Sequence, residues 1–406
     1  MYGTWIVFSR QLLRVMLLLT MIGSSASAQR YFDAPFRSFD ATNREWAQEG
    51  LTCVAAADMN GDGLPDAVAG QLGIAPPGFP PGIDGVYVYL NQGSVDGAPA
   101  TFSAPVRYPV LYDPLDVALA DIDADGDLDV VLACFFNDIG AFGGNIAILR
   151  NNGDGSLQTA TYLDTGIHGA HGVCAGDLDG DGDVDLAVTN HGRSGTTISV
   201  FANLGNGAFA PRITYETGAA DPNGIAAADL DNDGDLDLAV AHDEPARVSI
   251  LFNDGTGVFG EPSGYPGIFP EVNDGEYGSL VVFDADLDGD SDIAYTSTFA
   301  YDEYEDDGKI AILRNNGNGV FSVDLYPYLL PFRDAAVDLA AADLDGDGFV
   351  DLLGAEFEEP GLISFINDGT GGFLGARVIP SAGDAFAVAV ADLDLDGDPD
   401  GLDINR

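Results

Sequence analysis

The chain has 406 residues, 46% of them hydrophobic, enough to bury a large core, which excludes an intrinsically disordered protein. Its 66 acidic residues face 15 basic ones, for a formal charge of −51, and Lys309 is the one lysine. A field of that sign repels nucleic acid and anionic lipid, and it leaves cations, neutral molecules or basic proteins as partners.

In chain order, Arg10 and Arg14 precede the apolar run VMLLLTMIG and the small-residue segment SSASAQ. This reads as a secretory signal over residues 1–28, cut after Ala28. The apolar run falls short of the roughly 18 to 20 residues that cross a bilayer. No later segment reaches that length, so no membrane insertion is expected, and the mature chain is expected to be secreted, periplasmic or at the cell surface. The first cysteine, Cys53, stands too far downstream to accept a lipid. Cys53, Cys134 and Cys174 are odd in number and each sits in an apolar strand pattern, as small buried hydrophobes do.

From Asp58 onward one twelve-residue pattern returns seven times, for example DLDGDGDVDLAV from Asp177 and DLDNDGDLDLAV from Asp229, with further copies at Asp121, Asp284, Asp343 and Asp392. The spacing is 49 to 63 residues, the range of a propeller blade. Four short strand patterns fit within each period, as in GIAAAD, DLAVAH, RVSILFN and GVFGEPSGY from residue 224 to 265, and no stretch keeps a helical period. The residues one and three before the leading aspartate are small (Ala57 and Ala55, Ala120 and Ala118, Ala228 and Ala226), with Phe283 and Val281 departing. Small side chains suit inner strands that converge on an axis. The expectation is an all-β, seven-bladed β-propeller over residues 29–406. The chain stops two strands into the seventh repeat, while YFDAPFRSF (31–39) resembles the fourth strand FAPRITY (209–215), so the N-terminal strand is expected to close the ring in the last blade.

The pattern D-x-[DN]-x-D-G-x-x-D, then an apolar strand, then N-x-G-x-G-x-F as in NLGNGAF (203–209) and NDGTGVF (253–259), resembles the FG-GAP/VCBS-type repeat, similar to the integrin α-subunit propeller. The likeness spans about residues 31 to 406, although paired FG and GAP motifs are mostly missing; only VFG at 258–260 is close. That departure leaves an integrin-like ligand without support.

Within each copy, oxygens at steps 0, 2 and 4 of a tight turn, a reversing glycine at step 5 and an aspartate at step 8 make a cage of hard ligands. The candidate metal residues are Asp58, Asn60, Asp62 and Asp66; Asp121, Asp123, Asp125 and Asp129; Asp177, Asp179, Asp181 and Asp185; and Asp229, Asp231, Asp233 and Asp237. The remaining three sets are Asp284, Asp286, Asp288 and Asp292; Asp343, Asp345, Asp347 and Asp351; and Asp392, Asp394, Asp396 and Asp400. An all-oxygen shell without His or Cys suits calcium over magnesium or zinc, so up to seven structural Ca²⁺ are expected. The resemblance implies a further backbone carbonyl at step 6, from Leu64, Asp127, Asp183, Asp235, Asp290, Phe349 and Asp398. The twelfth position holds Ala69, Leu132, Val188, Val240, Tyr295 and Gly354, which is not an EF-hand; Asp403 in the last copy leaves a dockerin-like reading open there. Seven divalent ions would leave most of the negative charge uncompensated.

The opposite face should carry the variable connections 71–84, 135–144, 190–196, 242–247 and 299–308, with His168, His171, His191, His242 and the aromatics Phe135, Phe136, Phe142, Tyr301 and Tyr304. A metal or acid–base site of His171, His191, His242 and Asp243 is one reading, and hydrogen-bonded loop histidines are the other. There is no nucleophile elbow, HExxH, phosphate loop or basic patch. The sequence thus describes a monomeric binding or adhesion module for a protein or carbohydrate, with a carbohydrate-active lyase or hydrolase on the same face as the alternative.

Overall fold

Short runs of β-branched and small residues between Gly- and Asn-rich turns make each repeat an up-and-down antiparallel sheet. The computed structural model describes residues 37–39, 50–72, 84–94, 100–138, 141–166, 169–192, 195–266, 275–276, 278–296, 298–299, 309–327, 336–356 and 360–405, all within the unit Ala34–Arg406. The first sheet is Leu51–Ala57, Asp66–Gln71, Gly85–Tyr89 and Val106–Pro109. The second is Asp113–Ala120, Asp129–Asp138, Ala141–Leu149 and Thr161–Gly166, and the third Gly169–Gly176, Asp185–His191, Thr197–Phe201 and Ile213–Glu216. The fourth is Ala220–Ala228, Asp237–Glu244, Ala246–Leu251 and Ser263–Pro266, and the fifth Leu280–Phe283, Asp292–Tyr295, Lys309–Arg314 and Ser322–Pro327. The sixth begins with Asp338–Ala342, Asp351–Ala355 and Pro360–Phe365. No helix occurs among the described residues.

Period-two alternation lets one strand serve two neighbours. Val130 and Leu132 pack on the first sheet, with Val68 and Val88, while Val131 and Ala133 pack on the third, with Leu186 and Val188. Equivalent cores join the third sheet to the fourth, the fourth to the fifth and the fifth to the sixth. The array returns on itself, because Leu51, Ala69 and Tyr87 of the first sheet meet Ala387 and Ile404. The architecture is a β-propeller. The three cysteines are free, Cys53 and Cys134 buried and Cys174 half-buried, as their apolar surroundings suggest.

The propeller has six blades, not the seven expected from the repeat count. Arg377–Ala391 runs as one strand: its first part pairs with Pro360–Phe365 and its second with Asp400–Asn405. The seventh repeat therefore extends the sixth sheet and builds none of its own. Pro380 and Gly383 fall in a register irregularity between Leu362↔Ile379 and Pro360↔Asp384. The N-terminal segment Arg37–Phe39 does join the last sheet, but in another place: it pairs directly and in parallel with Asp400–Asn405, Arg37 opposite Leu402, whereas a fourth strand would stand two places away with an antiparallel third strand between them.

A buried asparagine ties each blade to the previous one. Asn151 Nδ2 donates to Leu128 O in its own blade and, at 2.7 Å, to Met59 O in the first. Asn203, Asn253, Asn315 and Asn367 repeat this with Ile122, Leu178, Leu230 and Ala285, at 2.9, 2.7, 2.8 and 2.7 Å. Asn91 closes the ring on Leu393 O, also at 2.7 Å.

Candidate functional site

The acidic hairpins sit at the C-terminal end of each inner strand. In the third, Asp177 accepts from Gly180 N at 2.8 Å and Gly182 N at 3.0 Å, and Asp181 accepts from Asp183 N at 2.9 Å. Asp185 lies beneath them, buried, taking Leu178 N on one oxygen at 2.9 Å and Asn203 N on the other at 2.7 Å. Burial pushes its carboxyl up to about 6, against those hydrogen bonds and with help from Asp179 and Asp181. The first and last hairpins share this frame, with Met59 N on Asp66 and Leu393 N on Asp400, each at 3.0 Å.

Oxygens of Asp121, Asp123 and Asp129 converge to within 4.8 Å of one another, as do those of Asp177, Asp179 and Asp185, of Asp229, Asp231 and Asp237, and of Asp284, Asp286 and Asp292. In the sixth hairpin the converging set is Asp343, Asp345 and Asp347. These clusters can hold metal ions. Buried oxygens without a hydrogen-bond partner, Asp123 Oδ1, Asp231 Oδ1 and Asp284 Oδ1, fit that use, since such atoms are costly unless something binds them. The donor set is oxygen only. One backbone feature escaped the sequence: step 3 is left-handed in every hairpin, occupied by Gly61, Gly180 and Gly346 but also by Ala124, Asn232, Leu287 and Leu395.

A second site lies at the opposite end of the inner strands, a central cavity of about 700 Å³. Counted back from the leading aspartates, step −6 supplies Thr52, Leu115, His171, Asn223, Gly278, Val337 and Phe386, and step −5 supplies Asp116, Ser279 and Asp338 among others. β-Bulges at Thr52, Leu115, His171–Gly172, Asn223–Gly224 and Phe386 turn these residues toward the axis. Step +14, at the end of the second strands, adds Leu72, Phe135, His191 and Asp243. That 14-residue count was the available signal for His191 and Asp243. No lysine or arginine lines the cavity among the described residues.

Asp116 bridges two blades, accepting from Val117 N at 2.8 Å and from Val173 N of the next blade at 2.9 Å. Asp338 accepts from Leu339 N, Ser279 Oγ and Val388 N. Burial outweighs these bonds and pushes Asp116 up to about 7 and Asp338 to about 6.

His171 and His191 lie with ring centroids 4.9 Å apart, and His191 Nδ1 is 3.9 Å from Asp243 Oδ2. His242 does not join them: it is buried, with Nδ1 on Ala220 O at 3.2 Å. Phe135 packs edge-on against His191. The connection 135–144 is a strand extension, paired out to Asp138↔Ala141, and 242–247 is a tight hairpin paired at Asp243↔Ala246. His168, Tyr301 and Tyr304, and most of 71–84 and 299–308, lie outside the described residues.

The FG-GAP-like repeat profile matches residues 136–188, 177–240, 229–295 and 298–354, more than half of the chain, and the chain belongs to that family. No curated protein sequence matches it. Among solved structures it is similar to an Agrocybe aegerita lectin that recognises non-reducing terminal N-acetylglucosamine, at 20% identity and TM-score 0.51 over 81% of this chain and 80% of the lectin. It is also similar to a periplasmic gluconolactonase of Pseudomonas aeruginosa, at 14% identity and TM-score 0.56 over 81% and 86% of the two chains. A protein of unknown function from Desulfotomaculum acetoxidans aligns at 14% identity and TM-score 0.51, over 82% and 89%. At these identities the likeness is one of fold.

Proposed function

We propose that the protein is an exported binding propeller that holds a carbohydrate in its central cavity, on a scaffold stabilised by calcium in the acidic hairpins. The cavity carries this reading. Its carboxylates, Asn223, Thr52 and Ser279 offer hydrogen bonds to hydroxyl groups, while Phe135 and Phe386 offer apolar surface, the mixture that small-ligand sites use. A saccharide is also what the Agrocybe lectin of like fold recognises. Residues 1–28 support export.

Calcium would be held by the carboxylates at steps 0, 2, 4 and 8, with the step-6 carbonyl completing the shell, and would neutralise charge that otherwise forces each hairpin open. Asn60 makes the first hairpin a weaker site than the third.

The test is a glycan array probed with calcium-loaded protein, with hits measured by calorimetry and repeated on Phe386→Ala. Binding that falls at least about tenfold in the variant, with an unchanged melt, is the expected result. A blank array, or hits indifferent to the cavity, overturns the reading. Hydrolysis or elimination on a bound saccharide is a second reading, favoured by the raised carboxyls of Asp116 and Asp338. Product formation from array hits would establish it.

A further inference from the structure

We propose that His171, His191 and Asp243 bind a divalent transition-metal cation, of the zinc or copper class, at the rim of the central cavity. Three observations converge on it. First, the separation of 3.9 Å between His191 Nδ1 and Asp243 Oδ2 is too long for a hydrogen bond. It suits two ligands of one ion, since ligands about 2.1 Å from a metal stand at most roughly 4.2 Å apart. His191 Nδ1 is shielded from water and has no hydrogen-bond partner, while the ring is held by a hydrogen bond to the Pro222 backbone and by His171 and Phe135, which leaves Nδ1 as the nitrogen for a ligand. Second, Asp243 is already aimed. Asn223 Nδ2 donates to both of its oxygens at 3.1 Å, and Gly278 N donates to Oδ1 at 3.1 Å, the kind of support that orients metal-bound carboxylates. Third, blades three and four approach so closely here that a side chain at Gly172 would run into the Asn223 carbonyl, and the bulge at His171–Gly172 turns the second imidazole to within 4.9 Å of the first.

Burial holds both imidazoles below their usual protonation range, which keeps nitrogen lone pairs available at neutral pH. Two imidazoles and one carboxylate are softer than the all-oxygen hairpins, so the two kinds of site select different cations. The open side of such an ion would face the cavity, where ligand hydroxyls could reach it.

The experiment uses chelator-treated full-length protein reloaded with excess calcium, so that the hairpins are filled, and then titrated with zinc chloride by calorimetry. One further zinc site is expected, weakened at least about tenfold by His191→Gln, His171→Gln or Asp243→Asn, with the calcium-dependent melt unchanged. As a check that needs no variant, copper(II) bound to the wild type should show electron paramagnetic resonance coupling to two imidazole nitrogens. Absence of a zinc site under excess calcium, zinc binding untouched by His191→Gln, or a copper signal without nitrogen coupling each overturns the proposal. The titration contains no glycan, so a blank glycan array and a failed metal site are separate results.

Discussion

At the scale of single residues, the hairpins keep two left-handed positions each, at step 3 and step 5. Glycine fills step 5 in all seven, whereas step 3 holds Leu287 and Leu395 at φ of 59° and 58°. An L-residue there costs about 1 to 2 kcal/mol, partly offset because glycine is freer in the unfolded chain. Both leucines are more than half exposed, at 54% and 57%, so little packing is lost on their removal. Leu287→Gly is therefore expected to raise stability by up to about 1 kcal/mol in calcium, measured by urea unfolding. In the cavity, Asp116 stands at about 7 in the folded chain, against about 3.9 when unfolded. The folded state then takes up a proton first as pH falls, so stability rises through that window. With calcium saturating, the wild type should gain about 1 kcal/mol relative to Asp116→Asn between about pH 8 and pH 6. A constant difference between the two proteins would show that Asp116 does not titrate there.

At the scale of elements, the buried asparagines join hairpin to hairpin. Asn253→Ala removes the buried bond to Leu178 O, the half-buried bond to Leu236 O and the bond that Oδ1 accepts from Gly255 N, at roughly 2 to 4 kcal/mol, which should appear as a lower melting temperature even in excess calcium. The sequence showed the N-x-G-x-G-x-F hairpin but not this second role, because the partner is a carbonyl 75 residues away whose side chain leaves no trace. The acidic hairpins and strand patterns were legible, since their spacing is local and repeated. The fate of the seventh repeat was not. The segment AFAVAVAD looks the same whether or not it opens a new sheet, and only the pairing of the residues before it with Pro360–Phe365 makes it a continuation of the sixth. The histidine cluster was half legible: His171, His191 and Asp243 were on the page, but only the bulge and the blade approach decide that His242 is left out.

At the scale of the whole molecule, several ions that bind only the folded form would stabilise it additively, each by about 2.7 kcal/mol at a hundredfold excess over its dissociation constant. EGTA should then lower the melting temperature by at least about 10 °C, followed by circular dichroism. A melt indifferent to EGTA would exclude calcium as the hairpin ligand. Asp177→Ala should remove a part of that shift, because only the third hairpin is impaired.

The direction of the asparagine ties carries a consequence for how the ring is made in time. Asn151, Asn203, Asn253, Asn315 and Asn367 all reach toward the N-terminus, so every blade from the second to the sixth finds its anchor already synthesised. Asn91 alone waits, for Leu393, 302 residues later. A chain that folds as it is made can thus dock blade after blade without delay, while the joint between the first blade and the segment 385–405 stays open until the end. That joint is where late-stage chaperones or proteases would find the nascent protein, and pulse-labelled hydrogen exchange should show its amides protected last.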